Sequence, residues 1–451
     1  MFEGKDLFIL EKALAKLAEG FENLPKRPSG YDQKKVEAVL LELAEKMQDN
    51  YPYFHPYYAG QMLKPPHPVA RLAYMLSLYI NPNNHALDGG KASSALEKRA
   101  VAAIAEIFGW NRHLGHLTSG GTMANLEALW ISGRLKPGQK IVASSQAHYT
   151  HQRISDVLGL PFEAIDCDTD ARMDMNALRN ALDTGRVGTV VATMGTTGTG
   201  SLDPLPEILD LKAEYDFRLH ADAAYGGYFT LTGNLAPHAR RCFDCIGEVD
   251  SIVIDPHKHG LQPYGCGCVI FQDPDVGRFY KHDSPYTYFS SDELHLGEIS
   301  LECSRPGSSA AALWATQQLL PMVPKGEFAQ GLAKGREAAL ILYDRVKSDG
   351  RFRTFLEPEL DILVWAPAGD SASLISKRSQ RIFEAAAERQ LHLATFSYPS
   401  LLLQDRWHDV DFDRPDVICL RSCLMKPEHV DWIDAIWNIL VEVTEQLSGG
   451  I

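Results

Sequence analysis

Short apolar runs separated by stretches with apolar residues at helical spacing fill the middle of the chain. The runs are Lys140 to Ala143, Val187 to Thr193, Phe217 to His220, Ser251 to Ile254 and Gly267 to Phe271. Such alternation predicts an α/β fold with a mostly parallel sheet, the apolar runs being strands and the intervening stretches helices. Residues 6 to 21 place Leu7, Leu10, Leu14, Leu17 and Phe21 on one helical stripe, interrupted by Glu11, Lys12, Lys16 and Glu19. That is the pattern of an amphipathic helix and not of a membrane span. The helical reading breaks at Leu24-Pro25-Lys26-Arg27-Pro28-Ser29-Gly30 and again at Tyr51-Pro52 and His55-Pro56. A segment of this length cannot bury its own stripe, so it is expected to be an arm that packs on a second subunit, making the protein a homodimer. From about residue 326 an Ala-rich helix, the strand candidates Ile362 to Trp365 and Val417 to Leu420, and a closing amphipathic helix predict a smaller α/β domain. The expected division is 1–63 for the arm, 64–325 for the large domain and 326–451 for the small one. No internal repeat or low-complexity segment is evident.

Composition narrows the partners. At 451 residues the chain is too long for one small core, and 45% apolar with 23% charged residues is the balance of an ordinary globular protein. A net charge of −14 argues against a general phosphate-neutralising surface for nucleic acid. Eight cysteines in so long a chain do not make a disulfide framework, and the amino terminus carries no signal-peptide pattern, so a reducing cytoplasm is the expected compartment. Cys242-x-x-Cys245 and Cys266-x-Cys268 lack structural-zinc spacing on both sides and are read as small buried thiols, with no metal expected.

The chemistry gathers around three motifs. In Ser251-Ile-Val-Ile-Asp-Pro-His-Lys-His-Gly260, Lys258 follows an apolar strand between His257 and His259. A lysine that forms a Schiff base with an aldehyde cofactor has to end a rigid element in such a setting. Asp222, in His220-Ala-Asp-Ala-Ala-Tyr-Gly-Gly227, ends another strand and should sit at the carboxyl edge of the sheet, where open α/β folds bind ligands. A carboxylate there can keep a pyridine nitrogen protonated and so make the ring an electron sink. Gly120-Gly121-Thr122, in Thr118-Ser-Gly-Gly-Thr122, precedes a helical pattern whose amino-terminal N–H groups suit a phosphate monoester, with a hydroxyl from Thr122.

Together these motifs resemble the pyridoxal 5'-phosphate site of the group II amino-acid decarboxylases, enzymes of fold type I acting on aromatic amino acids, glutamate, histidine, cysteine sulfinate and 2,4-diaminobutyrate. The resemblance runs from the His55-Pro56 region to Arg421. It implies a large domain built on a mostly parallel sheet of the seven-stranded type, a small carboxyl-terminal domain and a helical amino-terminal arm. It also implies that His148 stacks on one face of the cofactor ring with Ala224 against the other, His257 lies near the phosphate, and Thr196, in Thr193-Met-Gly-Thr-Thr-Gly198, lies close to the ring. His151, three residues past His148, is expected to point elsewhere. Arg421 matches the residue that holds the substrate α-carboxylate, a task suited to a planar fork of donors. Tyr286 and Tyr288 fall where the family carries a catalytic loop with a proton-donating tyrosine, and the choice between them stays open.

Substrate signals conflict. His259-Gly-Leu-Gln-Pro-Tyr264 resembles bacterial tyrosine and diaminobutyrate decarboxylases and Gly226-Gly-Tyr228 resembles tyrosine enzymes, whereas Gln61 falls where glutamate and cysteine-sulfinate decarboxylases carry a substrate-side glutamine. Gly90-Lys-Ala-Ser-Ser-Ala-Leu-Glu97 departs from the Ser-Pro-Ala-x-Thr-Glu-like stretch that shapes the family pocket. The expectation is decarboxylation of an L-amino acid to its amine, with an aromatic, tyrosine-like substrate preferred. Its competitors are an acidic or diamino acid (glutamate, aspartate, 2,4-diaminobutyrate), a same-fold aldehyde synthase or lyase, and a cofactor-binding scaffold without turnover.

Overall fold

A computed structural model describes residues 4–25, 30–87, 89–281 and 299–448. Seven strands form the larger sheet: β1 (Leu114–Thr118), β2 (Lys140–Ser144), β3 (Phe162–Ile165), β4 (Val187–Thr193), β5 (Arg218–Asp222), β6 (Ser251–Ile254) and β7 (Gly267–Phe271), in the order β1-β7-β6-β5-β4-β2-β3. Five neighbours, β6 to β3 along that order, are parallel, and β7 runs antiparallel to both β6 and β1. Every residue of β4, β6 and β7 is buried, as expected of central strands with packing on both faces, which therefore read as near-continuous apolar runs. The expected mostly parallel sheet is present, and the five apolar runs seen in the middle of the chain are all strands of it.

A second sheet, β10-β11-β9-β8, is antiparallel throughout and comprises β8 (Phe352–Thr354), β9 (Ile362–Pro367), β10 (Ala394–Pro399) and β11 (Asp416–Cys423). Helices Glu327–Ser348 and Ala372–Glu388 pack against it, and His429–Ser448 packs on both helices. Its core is centred on fully buried Trp365, met edge-on by Phe352 with ring centroids 5.4 Å apart. One apolar cluster runs from Leu219 and Ile252 of the large sheet to Ile362 and Val364 of the small one, so the two sheets share core.

The first helices are α1 (Gly4–Glu19), α2 (Gln33–Met47), α3 (Pro68–Leu78), α4 (Lys91–Ile107), α5 (Gly121–Leu135) and α6 (Thr150–Leu158). Leu10 is the one residue of α1 that is buried, and α2 buries none. Leu7, Phe8 and Ile9 of α1 and Val39, Leu40 and Leu41 of α2 are exposed. Among the described residues, no helix is long and apolar enough to cross a membrane.

A buried ionic knot ties strand β1 to α4 and to Arg305. The Arg305 guanidinium donates to Glu97 Oε1 and to the Leu117 carbonyl, both at 2.6 Å, while the Leu117 N–H donates to the same Glu97 oxygen at 2.9 Å. Asn84 adds a 2.6 Å bond to Glu97 Oε2. Glu97 belongs to the stretch that departs from the family pattern, and here its carboxylate is a structural anchor. Removing one member of a buried pair leaves the other charged and unpaired, at a cost of about 3–5 kcal/mol. Arg305→Leu should therefore lower the thermal unfolding midpoint by several degrees, and Glu97→Leu in the same chain should recover much of the loss. Calorimetry showing an unchanged midpoint in the single variant would remove this anchor from the fold.

Candidate active site

The carboxyl ends of β2, β4, β5 and β6 and the loop after β1 open into a cavity of about 430 Å³. Parallel register sets this edge: Thr193 of β4 pairs with Asp222 of β5, and Asp222 with Val253 of β6. The chain leaves β6 through Asp255-Pro256-His257 and turns so that the Lys258 N–H donates to the Asp255 carbonyl at 2.9 Å. This turn delivers the Lys258 amine into the cavity, 3.1 Å from the buried Asp255 Oδ2. Asp255 also lies against the start of α5, where a Cβ on Gly121 would come 2.7 Å from Asp255 Oδ2. Glycine is needed at 121 because the helix begins against that carboxylate. Among the described residues no side chain caps α5, so its first-turn N–H groups, beside Thr122 at the cavity, are left as anion donors.

Asp222 is buried and lines the cavity. Its Oδ2 accepts from His151 Nε2 at 2.8 Å and from Asn125 Nδ2 at 3.3 Å, and its Oδ1 accepts from the Ala224 N–H at 3.2 Å. Burial would push this carboxyl up, but the His151 hydrogen bond and the Lys258 charge outweigh it and hold Asp222 well below the usual carboxylate range. The acceptor-only carboxylate sets the direction of a longer chain of bonds. Asn125 must turn its amide nitrogen to Asp222, so its oxygen accepts from His220 Nε2 at 2.8 Å, and His220 Nδ1 accepts from the Ser251 hydroxyl at 2.9 Å. Burial pushes His220 down to about 3, which agrees with the single ring proton this chain allows.

Here the structure corrects an expectation. His151 does not point elsewhere: it lies in the first turn of α6, fully buried, with its ring on Asp222. His148 precedes that helix and lines the cavity, its Nδ1 2.8 Å from the Thr150 hydroxyl and its ring stacked on Tyr149 with centroids 4.5 Å apart. Burial lowers the His148 pKa against the opposing pull of Asp222. Ala224 and His257 also line the cavity, and burial lowers His257 as well. Thr196 does not line it: its buried hydroxyl bonds Thr199 at 2.8 Å and braces the turn, while Thr193, Gly195 and Thr197 face the space. Spacing alone could not tell which threonine of this loop faces inward.

Arg421 and Gln61 are 360 residues apart and meet. Arg421 Nη2 donates to Gln61 Oε1 at 2.6 Å and Nη1 to the Thr197 carbonyl at 2.8 Å; Thr197 lines the cavity, whereas Arg421 and Gln61, expected on the substrate side, stand behind it. Gln61 reaches this place because its segment is stitched to the small sheet: the Ala59 N–H donates to His392 O at 2.9 Å and the Cys423 N–H to Ala59 O at 2.8 Å. Tyr286 and Tyr288 lie outside the described residues.

Residues 33–366 match the family described as the pyridoxal-dependent decarboxylase conserved domain. The chain is similar to a probable L-tyrosine/L-aspartate decarboxylase of Methanothermobacter thermautotrophicus, with 29% identity over 68% of this chain and 82% of that protein. It is similar as well to an L-tyrosine decarboxylase of Enterococcus faecium, with 27% identity over 66% of this chain and 64% of the relative. In fold it is similar to the Oryza sativa TDC solved with PLP and tryptamine, at a TM-score of 0.79 and 17% identity over 99% of each chain.

The cavity fits the cofactor of that family on its own chemistry. Thr193 Oγ1, Asp255 Oδ1 and His257 Nδ1 are buried without a hydrogen-bond partner among the described residues, beside a primary amine and an uncapped helix start. Gly121→Ala should displace Asp255 and the helix start. Losing one charge-assisted bond to the phosphate should weaken pyridoxal phosphate binding by about tenfold or more. Titration of the apoprotein checks this, and an unchanged affinity would show that the approach at Gly121 is irrelevant to the cofactor.

Proposed function

Since the chain belongs to the pyridoxal-dependent decarboxylase family, and is thus a pyridoxal-phosphate-dependent carboxy-lyase acting on an amino acid, we propose that its substrate is an aromatic, tyrosine-like L-amino acid. One observation carries this reading. Among the described residues that line the cavity, Lys258 is the only lysine or arginine, while His148 and His257 are lowered by burial. A side-chain carboxylate on the substrate would want a fixed cation of its own, and Arg421 is the residue assigned to the α-carboxylate. Tyr149 and Tyr225 line the same space and offer aromatic surface. L-Aspartate is the second reading, favoured by the names of relatives such as an L-aspartate decarboxylase of Thermococcus kodakarensis, 30% identical over 62% of this chain.

In this proposal Lys258 anchors the cofactor aldehyde, Gly120, Gly121, Thr122 and His257 hold its phosphate, and His148 and Ala224 flank its ring. The bound cofactor supplies a sink for the electron pair left when the bond from Cα to the carboxylate carbon breaks. Asp222 stays ionised and keeps the ring nitrogen's proton in place. Arg421 retains free donors beyond those given to Thr197 and Gln61, and it orients the substrate carboxylate so that this bond is the one set to break. His148, with Nδ1 engaged by Thr150, keeps its ring proton on Nε2. Assembly belongs to the same proposal: the exposed apolar residues of α1 and α2 support a homodimer, in the cytoplasm, whose arms cover each other.

Three measurements test it. Borohydride should fix the cofactor on a peptide containing Lys258, and Lys258→Ala should lose both the visible absorbance and turnover; fixation on another lysine overturns the assignment. A panel of L-amino acids should give tyramine from tyrosine at the highest kcat/KM, and preferred release of β-alanine from aspartate would move the substrate to the second reading. Sedimentation should show a dimer, and a folded, active monomer would refute the role given to α1 and α2.

A further inference from the structure

His151 does not line the cavity and is given no contact with cofactor or substrate above, yet it makes the shortest hydrogen bond that Asp222 receives. We propose that His151 is a positioning residue for the reaction: its Nε2–H holds the Asp222 carboxylate ionised and aimed, so that Asp222 in turn keeps a proton on the cofactor's ring nitrogen. The inference rests on the cofactor placement proposed above.

Three donors are arranged around Asp222 with different strengths of hold. The Asn125 amide at 3.3 Å and the Ala224 N–H at 3.2 Å are long, while the His151 bond is 2.8 Å. Asn125 and His151 share Oδ2, so the acceptor capacity left over lies on Oδ1, in a side chain that faces the cavity. A carboxyl this deeply buried tends to take up a proton, and a protonated carboxyl could no longer hold one on a pyridine nitrogen. The donor that works hardest against that tendency is His151. His220 is neutral and reaches Asp222 only through Asn125, and Lys258 is the residue assigned to the cofactor.

A histidine that merely filled the core would give a different arrangement. His151 Nδ1 is buried without a hydrogen-bond partner among the described residues, so one ring nitrogen is left unsatisfied while the other is spent on Asp222. Packing alone would be served better by a leucine or phenylalanine. A buried polar atom is tolerated here next to the carboxylate, and the bond to that carboxylate is what the ring provides in return.

The test uses the enzyme reconstituted with pyridoxal phosphate carrying 15N at its ring nitrogen, read by solid-state NMR, in the wild type, His151→Leu and His151→Gln. The wild-type resonance should lie at the protonated position, move toward the unprotonated one in His151→Leu, and be held at least in part by His151→Gln, which keeps a donor. In the same proteins kcat should fall about ten- to a hundredfold in His151→Leu, as expected for a lost hydrogen bond to a charged group, with KM changed much less. An identical ring-nitrogen resonance in wild type and His151→Leu overturns the role of His151 and leaves the cofactor site standing. Failure of the wild type to bind labelled cofactor at Lys258 takes down both. If His151→Leu does not fold, wild type with 15N-labelled histidine decides, assigned against His151→Gln. A His151 Nε2 resonance that shifts on cofactor loading supports the dyad, and one indifferent to loading overturns it.

Discussion

A negative charge buried at the end of β5 is the constraint around which this molecule is arranged. Taking a carboxylate out of water is costly unless its lone pairs are met by donors, and the donors of Asp222 come from three places: α6 through His151, α5 through Asn125, and its own loop through Ala224. The first two then carry a second duty. The helix that supplies Asn125 begins at the uncapped turn suited to phosphate, and the segment that supplies His151 carries His148 into the cavity three residues earlier. Satisfying one buried oxygen pair therefore fixes the relative placement of elements that line the cavity.

The second constraint is closure of the cavity from a distance. The residues around Ala59 are hydrogen-bonded to the small sheet at His392 and Cys423, which brings Gln61 to Arg421, and Arg421 reaches across to the Thr197 carbonyl of the large-sheet loop. Three remote parts of the chain are joined through one guanidinium. A small shift of one sheet against the other would be felt at the wall of the cavity, because these bonds have little room to lengthen.

Both constraints use buried polar groups, and both have analogues that stabilise without facing a ligand. The Arg305–Glu97 pair ties β1 to the body of the protein in the same manner. His116 and Glu127 meet at 2.9 Å beneath the same strand, with Tyr280 donating to Glu127 at 3.0 Å. The distinction between structural and functional buried charge here is which oxygens face the cavity. Asp222 and Asp255 face it, whereas Glu97 and Glu127 do not.

The apolar runs determined much of the fold by themselves. Five strands of the large sheet and the cores of β9 and β11 were legible because strands with packing on both faces read as near-continuous apolar runs. The other four were not. β1 holds Gly115, His116 and Thr118, which interrupt its apolar run; β3 and β10 lie at sheet edges with exposed positions, and β8 has three residues. Lys258, Asp222 and the Gly120 to Thr122 turn could be named from motifs that follow a strand or open a helix, and His148 from the family resemblance; all of them line the cavity. What only the tertiary structure decided was the set of contacts between such ends: that His151 turns to Asp222, that Thr196 turns away from the cavity, and that Gln61 and Arg421 form one unit. Linear spacing records which element a residue belongs to. The direction of a side chain across a gap depends on which distant element supplies its partner, and that is settled when the sheets pack.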